Sequence, residues 1–441
     1  MTAASGTPAA GPSRPATDPA PDPAPDTAPA PAPDGAAGPA ARRATYRDAL
    51  AEPRFRLLLG TRTLAIAADT LRMIALAVLV YGRTGSPLLA AVAYGIGFLP
   101  QLAGGALFGA LADRMRPRPL IWGAYALEAA AAVVLALLGP PVPAALALVA
   151  VVACATPVFA GASNRLVAEA LPGDAYVLGR SLMGVGSAAA QLLGLAFGGV
   201  AVAALGARHA LLVAAAGHVL AALLVRLRLP DLPPPGASGG SLVRDSWAGN
   251  LRLLADPAVR TLLLAQWLPP AFVAGAEGLL VPYAEVRGYG GGAAPLLLAC
   301  SAAGMLLGNL AGARLLGPAA RERLVVPLMA AFGVPLAAFA LPLPAAAAAA
   351  LLLLSGCGFA YELGVQRPFV DALPEDGRGQ AFGLLSTGLM TAQGIGPVVL
   401  GALAEAVTVG GALACAGAAT LLTAVCLRGG LARARAVPAS G

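Results

Sequence analysis

Long apolar blocks separated by short polar connections, most of them carrying arginine, set the pattern of this chain. From Phe55 onward they predict twelve helices. These run at about 55–81, 86–112, 119–138, 143–170, 176–204, 208–227, 257–287, 292–316, 322–341, 343–371, 378–407 and 409–427. Each is close to or above the roughly 20 residues that cross a hydrocarbon core. The blocks divide the chain at two polar stretches. Residues 1–45 are built on Pro-Ala-Pro-Asp repeats such as Pro21-Asp22-Pro23-Ala24. They have too little apolar surface to bury and predict a disordered, partly polyproline tail. They are not a signal peptide, because no basic start precedes an apolar run. Residues 228–256 hold Pro230-Asp231-Leu232-Pro233-Pro234-Pro235-Gly236 and then a more amphipathic piece, and read as a linker. It joins six helices over 46–227 to six over 257–427, and residues 428–441 form a second tail.

Composition changes the class rather than the pattern. Of 441 residues 58% are hydrophobic and 12% charged, with a mean hydropathy of +0.77. A soluble protein carries about twice that charged fraction. The chain is therefore read as an all-α integral membrane protein. All 29 basic residues are arginine, which together with the alanine, glycine and proline load suggests a GC-rich bacterial gene. A net charge of +7 would suggest nucleic acid in a soluble protein. Here the arginines sit in loops, so the positive-inside bias and anionic lipid headgroups account for them, and no nucleic-acid partner is expected.

Arginine counting orients the spans. With the 113–118 loop inside, only Arg83, Arg208 and Arg287 fall in the opposite connections. Arg62 and Arg72 lie within the first span, Arg14 is remote in the tail, and the remainder flank the inner side. Both termini are then cytoplasmic in a bacterial inner membrane. Cys154, Cys300, Cys357, Cys415 and Cys426 occur singly in apolar segments, and His209 and His218 are too few to build a metal cluster. No metal and no cofactor are expected. No Gly-x-x-x-x-Gly-Lys phosphate loop is possible without lysine, and no nucleophile–base arrangement suggests an enzyme.

The two sets of helices repeat one another. Asn164-Arg165-Leu166-Val167-Ala168-Glu169-Ala170-Leu171-Pro172-Gly173-Asp174 recurs as Gln366-Arg367-Pro368-Phe369-Val370-Asp371-Ala372-Leu373-Pro374-Glu375-Asp376. Five of eleven positions are identical at an offset of 202, which persists in Gly186/Gly388, Gln191/Gln393, Gly194/Gly396 and Gly199/Gly401. Repeated bundles of this kind place a substrate path at their interface.

Gly109-Ala110-Leu111-Ala112-Asp113-Arg114-Met115-Arg116-Pro117-Arg118 resembles the signature between the second and third spans of the major facilitator superfamily. Arg116 and Pro117 stand where glycine and arginine are usual. The resemblance covers about residues 46–427 and implies two pseudo-symmetric six-helix bundles that work by alternating access. Tyr81-Gly82-Arg83-Thr84-Gly85-Ser86-Pro87 through Leu99-Pro100 is similar to the enterobactin and macrolide (multidrug) exporter-like branch. Gly194-Leu195-Ala196-Phe197-Gly198-Gly199 resembles an antiporter motif with leucine in place of its proline. Gly396-Pro397-Val398-Val399-Leu400-Gly401 keeps the proline. Gly194, Gly198, Gly199, Gly396, Pro397 and Gly401 are read first as helix-packing positions. The resemblance further implies a cytoplasmic gate. Gly109 and Asp113 would approach the start of the eleventh span near Arg378-Gly379-Gln380. Arg114 and Arg118 would pair with Glu169 or Asp174, and Arg165 and Arg367 with nearby acids such as Asp371.

Ionisable groups within spans are costly and mark function. Arg62, Asp69 and Arg72 share one helix face. Asp69 and Arg72 form either a structural pair or a proton site that changes partners. Glu128 has no charged neighbour at helical spacing, so it is either a proton site or a neutral, hydrogen-bonded acid. Glu277 and Glu362 are further candidates, with Glu277 placed toward an outer entrance. Tyr361 either bonds a ligand or anchors its helix. Gln191, Gln266, Asn309 and Gln393 are polar groups facing either other helices or a solute. The functional reading is a monomeric secondary transporter exporting a small, partly apolar molecule in exchange for protons, among membrane lipids. Low aromatic content and few charges suggest a neutral or cationic solute. Two alternatives stand beside it: a uniporter or importer, and a sensor or scaffold that moves nothing.

Overall fold

The computed structural model describes residues 45–108, 115–171, 174–232, 250–290, 292–373 and 378–436. The 1–44 tail, most of the linker, and Gly109, Asp113 and Arg114 of the expected gate lie outside the described residues, as does the side chain of Asp174.

Helix boundaries follow local chemistry. After a short helix at Tyr46–Ala51, α1 (Pro53–Thr84) starts with Pro53 in its first turn and Glu52 capping Arg54 N, and ends at Gly85 with φ 63°. Ser86 caps α2 (Pro87–Gly95, resumed at Leu99–Phe108) by accepting from Leu89 N. Then come α3 (Pro117–Val133, closed by a π turn at Val134–Leu138), α4 (Val142–Ala170), α5 (Asp174–Leu205) and α6 (Ala207–Arg228). Asp256 caps α7 (Pro257–Gly278), which bends by 41° into Leu280–Val286. It is followed by α8 (Ala293–Leu315), α9 (Val325–Ala337), α10 (Ala345–Gly358, resumed at Glu362–Asp371), α11 (Arg378–Ala406) and α12 (Val409–Ala436).

The twelve expected spans are not equal in length. Among the described residues ten helices are long and apolar enough to cross a membrane, and the bent α7 makes an eleventh. The ninth, apolar over Val325–Ala340, is shorter than the others. Large apolar side chains such as Leu137, Phe197, Leu227, Leu315 and Leu422 stand exposed around the helices. In water such a surface would aggregate; in lipid it is the solvated face.

Packing within one half maps onto packing within the other by adding six to each helix number. α1 packs on α5 and α6, α2 on α4, and α3 on α6; α7 packs on α11 and α12, α8 on α10, and α9 on α12. Between the halves, α2 packs on α11 and α5 on α8. The glycines at an offset of 202 divide the same way. A β-carbon at Gly194 would lie 3.0 Å from Thr70 of α1, and one at Gly396 would run into the Ala271 carbonyl of α7, both inside a half. One at Gly198 would lie 3.2 Å from Ile74, also on α1. By contrast, one at Gly199 would meet the Pro295 carbonyl of α8, and one at Gly401 would sit 3.0 Å from Leu88 of α2, both between halves. Pro397 also presses on α2, 2.8 Å from where a β-carbon of Gly95 would stand.

Candidate functional site

A cavity of about 400 Å³ opens beside α1 in the middle of the helices. Its polar lining comes from Arg62, Asp69 and Arg72 of α1, Glu128 of α3, and Ser187 and Gln191 of α5, among others. The shared face that the spacing of Arg62, Asp69 and Arg72 predicts is thus the face turned to the cavity. The second half contributes Met390 of α11 to the lining.

The charged groups converge from three helices. Arg72 Nη2 lies 2.7 Å from Asp69 Oδ1 and 3.6 Å from Glu128 Oε2. His218 of α6 is fully buried, with Nε2 3.4 Å from Asp69 Oδ1 and 3.5 Å from Glu128 Oε2. Close approach of α6 to α1 makes this possible, since a β-carbon at Gly217 would lie only 3.2 Å from that of Ala68. Glu128 therefore has charged partners, supplied across helices rather than along its own. His218 enters the sequence reading only as one of two histidines too few for a metal cluster, and not as a partner of these acids. Its signal was available, because an ionisable ring in the middle of an apolar span carries the same cost as Glu128.

These donors form the one group of three metal-ligating side chains found among the described residues, Asp69, Glu128 and His218, with ligand atoms within 4.8 Å of one another. That corrects the expectation that two histidines could not enter such a cluster. The Arg72 guanidinium reaches both carboxylates, so the place of a cation is already filled. Counting charged groups, two carboxylates face one guanidinium and one imidazole around the same point. Asp69 keeps 36% of its side chain exposed, whereas Glu128, which also lines the cavity, keeps 9% and His218, outside the lining, none.

The other candidates separate from this cluster. Glu277 is buried and is not at an entrance: Tyr94 Oη donates to its Oε2 at 2.6 Å and Ser301 Oγ to its Oε1 at 3.0 Å. Tyr94 belongs to α2 and Ser301 to α8, so this acid joins the two halves. Glu362 is half-buried on α10, away from the cavity, and makes no hydrogen bond or ion pair among the described residues. Tyr361 is an anchor, donating to the Ala265 carbonyl at 3.1 Å. Gln266 bonds Leu262 O in its own helix, and Asn309 and Gln393 lie half-buried outside the cavity lining.

At the end of the bundle that carries the termini, Arg165 pairs with Glu169 at 3.4 Å and Arg367 with Asp371 at 3.5 Å, each one turn along its helix. Arg118 does not meet Glu169: its Nε donates to the Arg226 carbonyl at 3.1 Å, and its Nη2 donates to the same oxygen. A backbone carbonyl at the end of α6 lies nearer than the acid and takes the guanidinium. Gln380 bonds Asn250 at 3.2 Å, tying the end of the linker to the start of α11.

Among the described residues, helices packed six against six beside a polar cavity define a polytopic, all-α membrane fold of the kind transporters use. The family model of the Major Facilitator Superfamily matches residues 58–365, and the chain belongs to that superfamily. No curated protein sequence matches it significantly. Among solved structures it is similar to a bacterial homolog of the human lysosomal transporter Spinster in an inward-facing, occupied conformation (TM-score 0.60, 17% identity, 88% of this chain and 96% of that one). It is also similar to the nucleoside transporter NupG (TM-score 0.63, 14% identity, 86% and 99%). A POT family transporter in complex with 5-aminolevulinic acid gives a TM-score of 0.64 at 10% identity, over 86% and 96%. At such identities the likeness is one of fold.

Proposed function

We propose that this protein is a proton-coupled exporter of small, partly apolar molecules, and that Asp69, Arg72, Glu128 and His218 form its coupling site. The observation that carries the reading is the cluster itself: two acids, a guanidinium and an imidazole brought together from α1, α3 and α6 beside the cavity. Packing alone has no need of four mutually dependent charges, because replacing a buried ion network by apolar side chains is often neutral or stabilising. A site that must gain and lose one proton does need them. Of the four, Asp69 meets the cavity most openly, so water or solute reaching it changes the field felt by Glu128 and His218.

Export is supported by the resemblance of the 81–100 segment to an exporter branch. Arginine placement supports an inner-membrane orientation with cytoplasmic termini. Alternating access is supported by where the halves touch. The hydrogen bonds joining described residues across the halves are Ser86 Oγ to Glu405 at 2.6 Å, Leu88 N to Glu405 at 3.4 Å, and Tyr94 to Glu277 at 2.6 Å. Glu405 and Ser86 lie at the end opposite the termini, and Glu277–Tyr94 lies on the way to it, so these bonds are the ones that would part in a state open at that end.

Everted membrane vesicles holding a pH gradient test the reading. A panel of amphipathic solutes is added and the gradient followed with a pH-sensitive dye. At least one solute should discharge the gradient in wild-type vesicles and not in Glu128→Gln vesicles. Equal discharge with the variant, or solute uptake that ignores the gradient, would remove the coupling role.

A further inference from the structure

We propose that the solute carries an oxyanion, a carboxylate, sulfonate or phosphate on an apolar body, and that Arg62 is the residue that binds it. This deepens the transport reading above and names the chemistry of its cargo, replacing the neutral or cationic solute that composition suggests. Arg62 lies within α1, two turns before Asp69 and so about 10 Å from the coupling cluster along the helix axis. Its side chain lines the same cavity. Unlike Arg72 it has no acid: among the described residues no carboxylate lies within ion-pair distance of Arg62, and its Nε donates only to the neutral Ser187 Oγ at 3.1 Å. The paired nitrogens at the end of the guanidinium are left to the cavity, in the fork geometry that matches an oxyanion.

The charged and titratable neighbours of Arg62 do not neutralise it. Tyr125 is a phenol, and Arg180, on α5, adds a second positive charge. Arg180 is exposed and two turns toward the termini end from Ser187, so a solute approaching from that end meets positive charge before it meets Arg62. Both carboxylates of the cavity lie at Arg72, so among the described residues the charge of Arg62 has no counter-charge within ion-pair distance. A buried unmatched guanidinium is costly in hydrocarbon, and a bound anion removes that cost. The rest of the lining suits the body of such a molecule. Phe98, Met73, Met390 and Ile66 give an apolar, adaptable surface, and Gln101 and Gln191 give neutral hydrogen bonds.

Three probes that share one ring isolate the charge: naphthalene-1-sulfonate, naphthalene-1-sulfonamide and 1-naphthylmethylammonium. Their binding to the purified, full-length protein in nanodiscs is measured by equilibrium dialysis against empty nanodiscs, with no gradient present. The sulfonate should bind wild type at least about tenfold more tightly than either analogue. Arg62→Gln should lose that preference while keeping the weak binding of the sulfonamide, and Arg62→Lys should retain part of it. Sulfonamide binding and a monodisperse size-exclusion profile show that each variant is folded. Preference for the ammonium, or an unchanged sulfonate affinity in Arg62→Gln, would overturn the proposal. Flux driven by a pH gradient is a separate measurement, so a protein that binds the sulfonate but moves it without protons would sink only the coupling reading. A protein that couples protons to cations would sink only this one.

Discussion

In the first six helices Arg72 and His218 each stand within ion-pair reach of both Asp69 and Glu128, whereas among the described residues Glu277 and Glu362 of the last six have no cation within that reach. The backbones are packed alike, helix for helix, and even the glycines at which helices touch keep their offset. The charges do not follow that symmetry. α1 holds Asp69 and Arg72 at the contact with α6, while α7 holds Glu277 farther along, at the contact with α2 and α8. A repeated scaffold has thus been given two kinds of polar feature. One is a cluster whose members depend on each other for charge balance. The other is a bridge in which two hydroxyls, Tyr94 and Ser301, hold a lone acid between the halves. The first suits storing a proton beside a solute, and the second suits holding the halves shut.

Breaking the cluster should have the largest effect. Arg72→Leu leaves two carboxylates without their guanidinium and should cost about 3–5 kcal/mol, seen as a lower melting temperature in detergent and poor yield. Asp69→Leu/Arg72→Leu, which removes the pair together, should recover most of that stability and none of the gradient-driven flux. Recovery of flux as well would make the pair structural. A smaller effect is expected at the bridge. Tyr94→Phe removes one donor from buried Glu277, a cost of about 1–3 kcal/mol that falls on the closed state. Hydrogen exchange at the outer ends of α2 and α7 should quicken while the melting temperature moves little. Unchanged exchange would mean that the bridge does not hold the halves.

The spans, their repeat and the shared face of Arg62, Asp69 and Arg72 were legible because each is written in local spacing: 20-residue blocks, a constant offset, and i, i+3, i+7 positions. Partners supplied by other helices were not. Nothing along α3 announces that Glu128 meets Arg72, and nothing along α6 that His218 lies between two acids, because those contacts depend on how α1, α3 and α6 pack. Glu277 read as an entrance residue because its depth was visible and Tyr94, on another helix, was not. Arg118 read as a partner for Glu169 by charge alone, but the carbonyl of Arg226 at the end of α6 was nearer. Tyr361 was open to two roles until Ala265 supplied its acceptor. The offset of 202 foretold the glycines, but not that Gly194 and Gly396 would pack inside the halves while Gly199 and Gly401 pack between them.

The central claim is that the first-half cluster holds one exchangeable proton that Glu128 makes necessary. Potentiometric titration of purified wild-type and Glu128→Gln proteins in the same detergent measures it directly, without knowing the solute. The account predicts that the variant binds one proton fewer across the titration, while His218→Asn still binds it, at a shifted pH. Superimposable curves for wild type and Glu128→Gln would contradict it.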